Sequence, residues 1–290
     1  MGTTDSRVII ITSTYKPHAV KLSKDIIKFL EARGFSCDQY EYDGMSSENP
    51  VKQDYAFAIC LGGDGTVLFA SRCCAARKIP VFAINFGNFG FIAVVEPEHW
   101  QTVLEDYLAG KIKIFERMLL SACILRKRQE FCVFDALNDV VISGSGIAKL
   151  VNLEVLFNDV SFGTYKADGV IISTPTGSTA YSAASGGPIL DPNVSAFVLT
   201  PIAAFSLSNR PIVLPAEGKM TVKVLPTRHR DTILSVDGQE LFVLEENDIV
   251  SVSASVHKAH LIGCNPEMFY RALRSKLAWS GNSTCPVPIQ

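Results

Sequence analysis

Short runs of β-branched and apolar residues alternate with segments of helical periodicity through the first part of the chain. That alternation restricts the fold more than any other feature. Residues 8–12 read as a buried strand. Pro17 suits a first helical turn, Val20, Ile27 and Leu30 recur near helical spacing, and Gly34 closes the helix. Residues 35–42 and 55–61 give the next strands, Gly62 to Gly65 a glycine-rich turn, the stretch to Ala76 a helix, and residues 79–84 a further strand. The pattern predicts a parallel, doubly wound α/β sheet.

The character changes after a helix-like segment, residues 97–109, that ends at Gly110. From about Leu119 to Gly263 the chain offers short strands separated by turns. Val151, Leu153, Val155 and Phe157 alternate with Asn152 and Glu154, the period of a half-buried strand. Residues 220–225, 232–236, 241–244 and 249–256 continue in that style. The expected organisation is an α/β nucleotide-binding domain over 1–95 and an all-β, sandwich-like domain over 96–263. A helix over 266–277 is expected to return, with 264–290 packed on the first domain, and the proline-containing tail after Gly281 to be mobile.

Composition removes several function classes. The chain of 290 residues carries 27 Lys+Arg against 29 Asp+Glu, a net charge of −2. Such a balance gives no long-range field for nucleic acid or an anionic membrane, so neither is expected as a partner. Arg126-Lys127-Arg128, the densest basic run, falls between two strands and reads as a hairpin turn. The 8 cysteines form no C-x-x-C pair, and buried free thiols are the favoured reading, for Cys60 and the Cys73-Cys74 pair in particular. His257 and His260 would face opposite sides of a strand, a poor shared metal site. The polar start lacks a signal-peptide core and no segment approaches a membrane span, so a reducing cytoplasm is expected.

The chemistry concentrates in three places. Leu61-Gly62-Gly63-Asp64-Gly65-Thr66 lies at the end of a buried strand and the start of a helix, where ligands of open α/β sheets bind. Glycines let backbone approach a phosphate, and the helix start favours one. A carboxylate there would repel phosphate unless it served metal or proton chemistry; Asp64 is placed to accept a proton from an attacking hydroxyl, although an ordinary Gly/Asp turn has the same letters. The second place is Ala167-Asp168-Gly169 followed by the hydroxyl-rich run from Ser173 to Ser182, either a solvated loop or the opening of a helix toward ribose and adenine, with Tyr181 against a ring. The third is Asn138-Asp139, which either caps a turn or faces a site. No G-x-x-x-x-G-K-[ST] or G-x-G-x-x-G occurs, which excludes a Walker-type NTPase and weakens a Rossmann dehydrogenase.

These elements, with Asn85-x-Gly87-x-x-Gly90-Phe91, Gly186-Gly187-Pro188-Ile189, Ser208-x-Arg210-Pro211-Ile212, Ser235-Val236-Asp237-Gly238-Gln239 and Lys276-Leu277-Ala278-Trp279-Ser280, stand in the order found in the NAD kinase family, which the chain resembles over nearly its whole length. The Gly-Gly-Asp-Gly turn is shared with lipid kinases; the Thr174 to Tyr181 element is the specific one. The resemblance implies transfer of the γ-phosphate of ATP to the adenosine 2′-hydroxyl of NAD, with a divalent metal such as magnesium neutralising charge. It implies Asp64 as the base and Gly65 under the pyrophosphate. Asn138 and Asp139 would hold the ribose or nicotinamide side, with Lys149, Lys166, Asp168 and Gln239 as further contacts. Thr179, Ala180, Tyr181, Ser182, Ala183 and Ala184 would line the adenosine pocket, and Phe91 would pack on adenine or in the core. No residue is assigned as a metal ligand, and a homodimer or homotetramer is expected. Asp139 stands where Glu is usual, Phe69 where a basic residue is frequent, and Ala203-Ala204-Phe205 replaces a segment ending in His. The changes at Asp139 and Phe205 keep a catalytically impaired NAD-sensing module as the alternative, beside a lipid kinase.

Overall fold

A computed structural model describes residues 6–45, 48–87, 90–146, 150–206, 208–226 and 232–276. The chain divides into two compact units, one comprising the residues up to Gly44, Asn49–Glu116 and those from His260 onward, the other Arg117–Ala259 with Met45–Glu48. The first unit thus runs on past residue 95 to Glu116. The stretch after residue 95 forms a helix and a connection that group with the α/β unit, because the strand-rich character begins only beyond Lys113.

In the first unit the elements follow as β1 (Arg7–Ser13), α1 (Pro17–Glu31), β2 (Ser36–Tyr42), β3 (Phe57–Gly62), α2 (Asp64–Ala75), β4 (Val81–Asn85) and α3 (Trp100–Leu108). The strands run parallel in the order β2-β1-β3-β4. Right-handed crossovers leaving the middle of this order in opposite directions put α1 and α2 on opposite faces. Covered on both sides, β3 and β4 are buried at every residue and β1 at all but its first, which is why they read as continuous apolar runs. The buried stripe of α1 is Ala19, Ser23, Ile26 and Leu30, one residue earlier than the Val20–Ile27 pair suggests. Phe69 faces inward and stacks on Tyr42 with ring centroids 4.2 Å apart. An aromatic there serves the core.

The second unit contains β5 (Ile114–Arg126), β6 (Gln129–Ala136), β7 (Asp139–Gly144), β8 (Val151–Phe157), β9 (Val160–Ala167), β10 (Gly169–Ser173), α4 (Tyr181–Ala184), β11 (Ala196–Ile202), β12 (Ile212–Pro215), β13 (Met220–Val224), β14 (Thr232–Val236), β15 (Glu240–Leu244) and most of β16 (Ile249–Ile262). One sheet is antiparallel in the order β12-β11-β10-β7-β14-β15; the other runs β16-β13-β8-β9, with β5 on β16 and β6 on β5. Val140, Ile142, Ile172, Leu199 and Leu234 from the first sheet share one core with Leu120, Leu153, Val222 and Val250 from the second. This is a sandwich. β16 continues past the expected end at 256, since Lys258 and His260 alternate with the buried Ala259 and Leu261.

The basic run 126–128 is a two-residue hairpin, with Lys127 and Arg128 at φ 51° and 67°. Arg126 turns back to the buried Asp248, 2.8 Å from Nη2 to Oδ2. After β16, α5 (Pro266–Lys276) belongs to the first unit. Residues 277–290, including the proline-containing tail, lie outside the described residues, as does Lys149. The seven described cysteines are free; Cys60, Cys73, Cys74 and Cys264 are buried and Cys37, Cys123 and Cys132 partly so. Among the described residues no helix is long and apolar enough to cross a membrane.

Candidate active site

In the first unit, β3 and β4 end side by side, Leu61 opposite Ile84 and Gly62 opposite Asn85. Phe86 then donates its N–H to the Gly62 carbonyl at 2.8 Å. The chain turns at Gly63, whose carbonyl accepts the N–H groups of Thr66 and Val67, and Asp64 is the first residue of α2. Gly62 must lack a side chain, because a Cβ would collide with Thr66. The Asp64 carboxylate is partly exposed; Oδ1 accepts the Ala93 N–H at 3.3 Å and Oδ2 lies 3.7 Å from Lys276 Nζ on α5. Gly90 makes this possible, since a Cβ there would strike Asp64 Oδ1. Lys276 also stands 5.0 Å over the Phe91 ring, itself 5.8 Å from Phe269. Phe91 therefore packs within the first unit. Gly65 is exposed in the first turn of α2.

A cavity of about 730 Å³ opens where β4 ends, lined by His18, Lys21, Leu22 and Asp25 of α1, Asn85–Gly87 and Glu96–Glu98. Its lining begins at Asn85, the partner of Gly62. Nothing in the letters of α1 marks it as a site; only the fold brings Lys21 and His18 to the carboxyl ends of the strands.

In the second unit a cavity of about 440 Å³ brings together Asn138, Asp139, Ala180 and Tyr181, with Val141, Ser143, Ile233, Ser235, Asp237, Gly238 and Leu241. Asp237 and Gly238, at φ 51° and 66°, form the tight β14–β15 turn, closed by the Gln239 N–H on the Val236 carbonyl at 2.9 Å. Asp237 carries more than the turn. Its carboxylate accepts the N–H groups of Leu137, Asn138 and Asp139 at 2.9, 2.7 and 3.1 Å. Asp139 is buried beside it, and burial followed by the neighbouring Asp237 charge pushes its carboxyl from an ordinary 3.8 up to about 7.

The hydroxyl-rich run is a framework more than a row of free donors. Thr174 donates to the Leu137 carbonyl at 2.6 Å and accepts the Gly177 N–H at 3.0 Å. Ser178 links the Pro175 carbonyl to the Leu190 N–H, Thr179 donates to the Thr176 carbonyl, and Ser182 pairs with Thr200. Gly177 lies so close to the Asn138 carbonyl that a Cβ would overlap it. The expected helix from Thr179 to Ala184 is a single 3₁₀ turn (Gly177–Thr179) and the four-residue α4, broken at Ala180 where ψ is −127°. Tyr181 is 47 % exposed at the cavity.

Other expected site residues are dispersed. Ala183 and Ala184 follow Tyr181 outside the cavity lining, and Gln239 closes the neighbouring turn. Asp168 joins β9 to β10, its N–H bonded to the Ile202 carbonyl, and Lys166 is exposed on β9. Among the described residues no group of three His, Cys, Asp or Glu is arranged to hold a metal ion.

The chain thus joins a parallel α/β unit with a glycine-flanked carboxylate at a helix start to a β-sandwich unit with a polar cavity, and its sequence carries no P-loop. Residues 42–112 match the ATP-NAD kinase N-terminal domain and residues 137–264 the ATP-NAD kinase C-terminal domain. The NAD kinase of Treponema denticola is 58% identical over 278 residues, covering 96% of this chain and 98% of that one. The NAD kinase of Geobacter sulfurreducens is 35% identical over 282 residues, covering 94% and 98%. The chain belongs to the NAD kinase family. A yeast NADH kinase crystallised with NADH has the same fold at TM-score 0.85 and 23% identity, over 95% of this chain and 88% of that one. An Archaeoglobus fulgidus NAD kinase crystallised with ATP gives 0.74 at 24% identity, over 94% and 98%. Membership sets aside the lipid kinase.

Proposed function

We propose that this chain transfers the γ-phosphate of ATP to the 2′-hydroxyl of the adenosine ribose of NAD, yielding NADP and ADP. The observation that carries the reading is Asp64, an accessible carboxylate on the first residue of a helix, its orientation secured by Gly90 and the Ala93 N–H. Asp64 takes the proton as the ribose oxygen attacks phosphorus and the bond to the bridging oxygen of ATP breaks. A positioned base is worth about 10²–10⁴ in rate, and positioning with electrostatics supplies the rest.

Gly65 and the first N–H groups of α2 are assigned to a pyrophosphate. Asn138, Asp139, Ala180 and Tyr181, which line one cavity, are assigned to the dinucleotide. Lys149, Lys166, Asp168, Thr179, Ser182, Ala183, Ala184 and Gln239 remain assigned as further contacts, Ser182 through its backbone because its hydroxyl is bonded to Thr200. Lys21 and His18 suit the ATP phosphates. Magnesium fits as an ion carried mainly by those phosphates, which calls for only one or two protein carboxylates; Asp25 and Glu96 of the same cavity would supply them. When bound, the ion neutralises charge on the transferring phosphoryl group.

The enzyme is assigned to the cytoplasm, in keeping with its free thiols, and to a homo-oligomer. Leu241 and Val243, 70% and 64% exposed on the edge strand β15, offer apolar surface that a second copy would cover. The deciding experiment supplies the purified protein with NAD, ATP and magnesium and reads NADP with an NADP-specific dehydrogenase. Saturable NAD binding without NADP formation would establish the sensing module instead.

A further inference from the structure

One mostly buried acid of the sandwich opens on a cavity with no protein partner for its carboxyl among the described residues. Asp139 is 5% exposed and lines the cavity of the second unit, yet its carboxyl has no hydrogen-bond partner among the described residues. Only its backbone is engaged: the N–H donates to Asp237 Oδ1 at 3.1 Å, and the carbonyl accepts the Asp237 N–H at 3.0 Å. A buried carboxyl without a partner is costly, so a ligand group that completes it binds with advantage.

Two acids this close and this buried resist ionising together. Three N–H donors favour the charged form of Asp237. Among the described residues the other elements around Asp139 offer no opposing charge. β10 sets Ser173 across from it, the α4 side contributes Tyr181, and Asn138, Ser143 and Ser235 add polar lining; no described Lys, Arg or His lines the cavity.

We infer that Asp237 is a positioning residue for dinucleotide binding: it clamps the backbone at 137–139 and, adding its charge to the larger effect of burial, favours a protonated Asp139 whose O–H donates to an acceptor atom of the dinucleotide. The inference rests on the proposed reading that this cavity takes NAD. The raised Asp139 carboxyl, near 7, agrees with the geometry and sets the pH at which the donor is lost. Above that pH an ionised Asp139 presents only acceptors and adds a like charge beside a ligand that already carries a negative pyrophosphate.

The test measures the Kd of NAD by calorimetry between about pH 5.5 and pH 8.5, with NADP formation followed in parallel. For the wild type, Kd is expected to be level at low pH and to weaken about tenfold per pH unit above about 7. Asp139→Asn keeps a donor that does not titrate and should flatten the profile. Asp237→Asn removes the neighbouring charge and should move the bend to lower pH, a shift that a merely structural residue would not cause. A wild-type Kd that does not change with pH, or a bend that survives in Asp139→Asn, overturns the inference. If Asp237→Asn does not fold, the Asp139→Asn profile decides alone. NAD binding with its bend intact but no NADP formed overturns the kinase reading and leaves this inference standing.

Discussion

Asp64 and Asp139 are the same residue type put to opposite use. Asp64 stands partly exposed at a helix start, with one backbone N–H on one oxygen and a lysine 3.7 Å from the other. Asp139 is buried in a sandwich, without a hydrogen bond to its carboxyl among the described residues and with a second acid beside it. In the proposed reading the first carboxylate takes a proton from the attacking hydroxyl, while burial and a neighbouring acid favour the protonated form of the second. Surroundings, more than identity, assign the role.

The comparison can be broken in four places. Asp64→Ala should lower kcat for NADP formation by about 10²–10⁴ and leave the Kd of NAD within a few-fold; steady-state kinetics beside calorimetry reads both, and near-normal turnover would refute the base assignment. Asp139→Asn should act on stability. Because the folded-state carboxyl is raised, the wild type loses stability as pH climbs from 3.8, where the unfolded chain ionises, to about 7, where the folded one does. The full span corresponds to on the order of 4 kcal/mol, so in urea unfolding the variant should gain on the wild type progressively up to about pH 7 and hold that gain above it. Gly90→Ala should push the Asp64 carboxylate aside and cost about 10² in kcat, with a melting temperature near that of the wild type. Thr174→Val, which strips both bonds holding the hydroxyl-rich turn to Leu137 and Gly177, should destabilise by about 1–3 kcal/mol, read as an earlier urea midpoint.

The sequence made some of this legible and hid the rest for physical reasons. β1, β3 and β4 stand out because burial on both faces demands unbroken apolar runs. β9 does not: it is exposed at every residue except Tyr165 and Ala167, and its pairing slips in register on the β8 side. Asp64 is readable from its neighbours along the chain, since strand end, glycines and helix start are all local. Asp237 is not, because its three hydrogen bonds reach back about a hundred residues, and an Asp-Gly pair between strands announces only a hairpin. The run from Ser173 to Ser182 looks like a set of ligand donors. Its hydroxyls are spent largely on its own backbone, which no count of serines and threonines reveals.

That hairpin joins two requirements in one side chain. Residue 237 must tolerate a left-handed backbone and carry a carboxylate short enough to reach three successive amides. Asparagine meets the first demand and loses the anion; glutamate keeps the anion and lengthens the arm. Mispairing of β14 and β15 by a single residue would carry the acid away from strand β7, so the register of this ribbon decides whether the three amides are met. Variants selected only for a firmer turn should therefore surrender ligand affinity long before they surrender the sandwich.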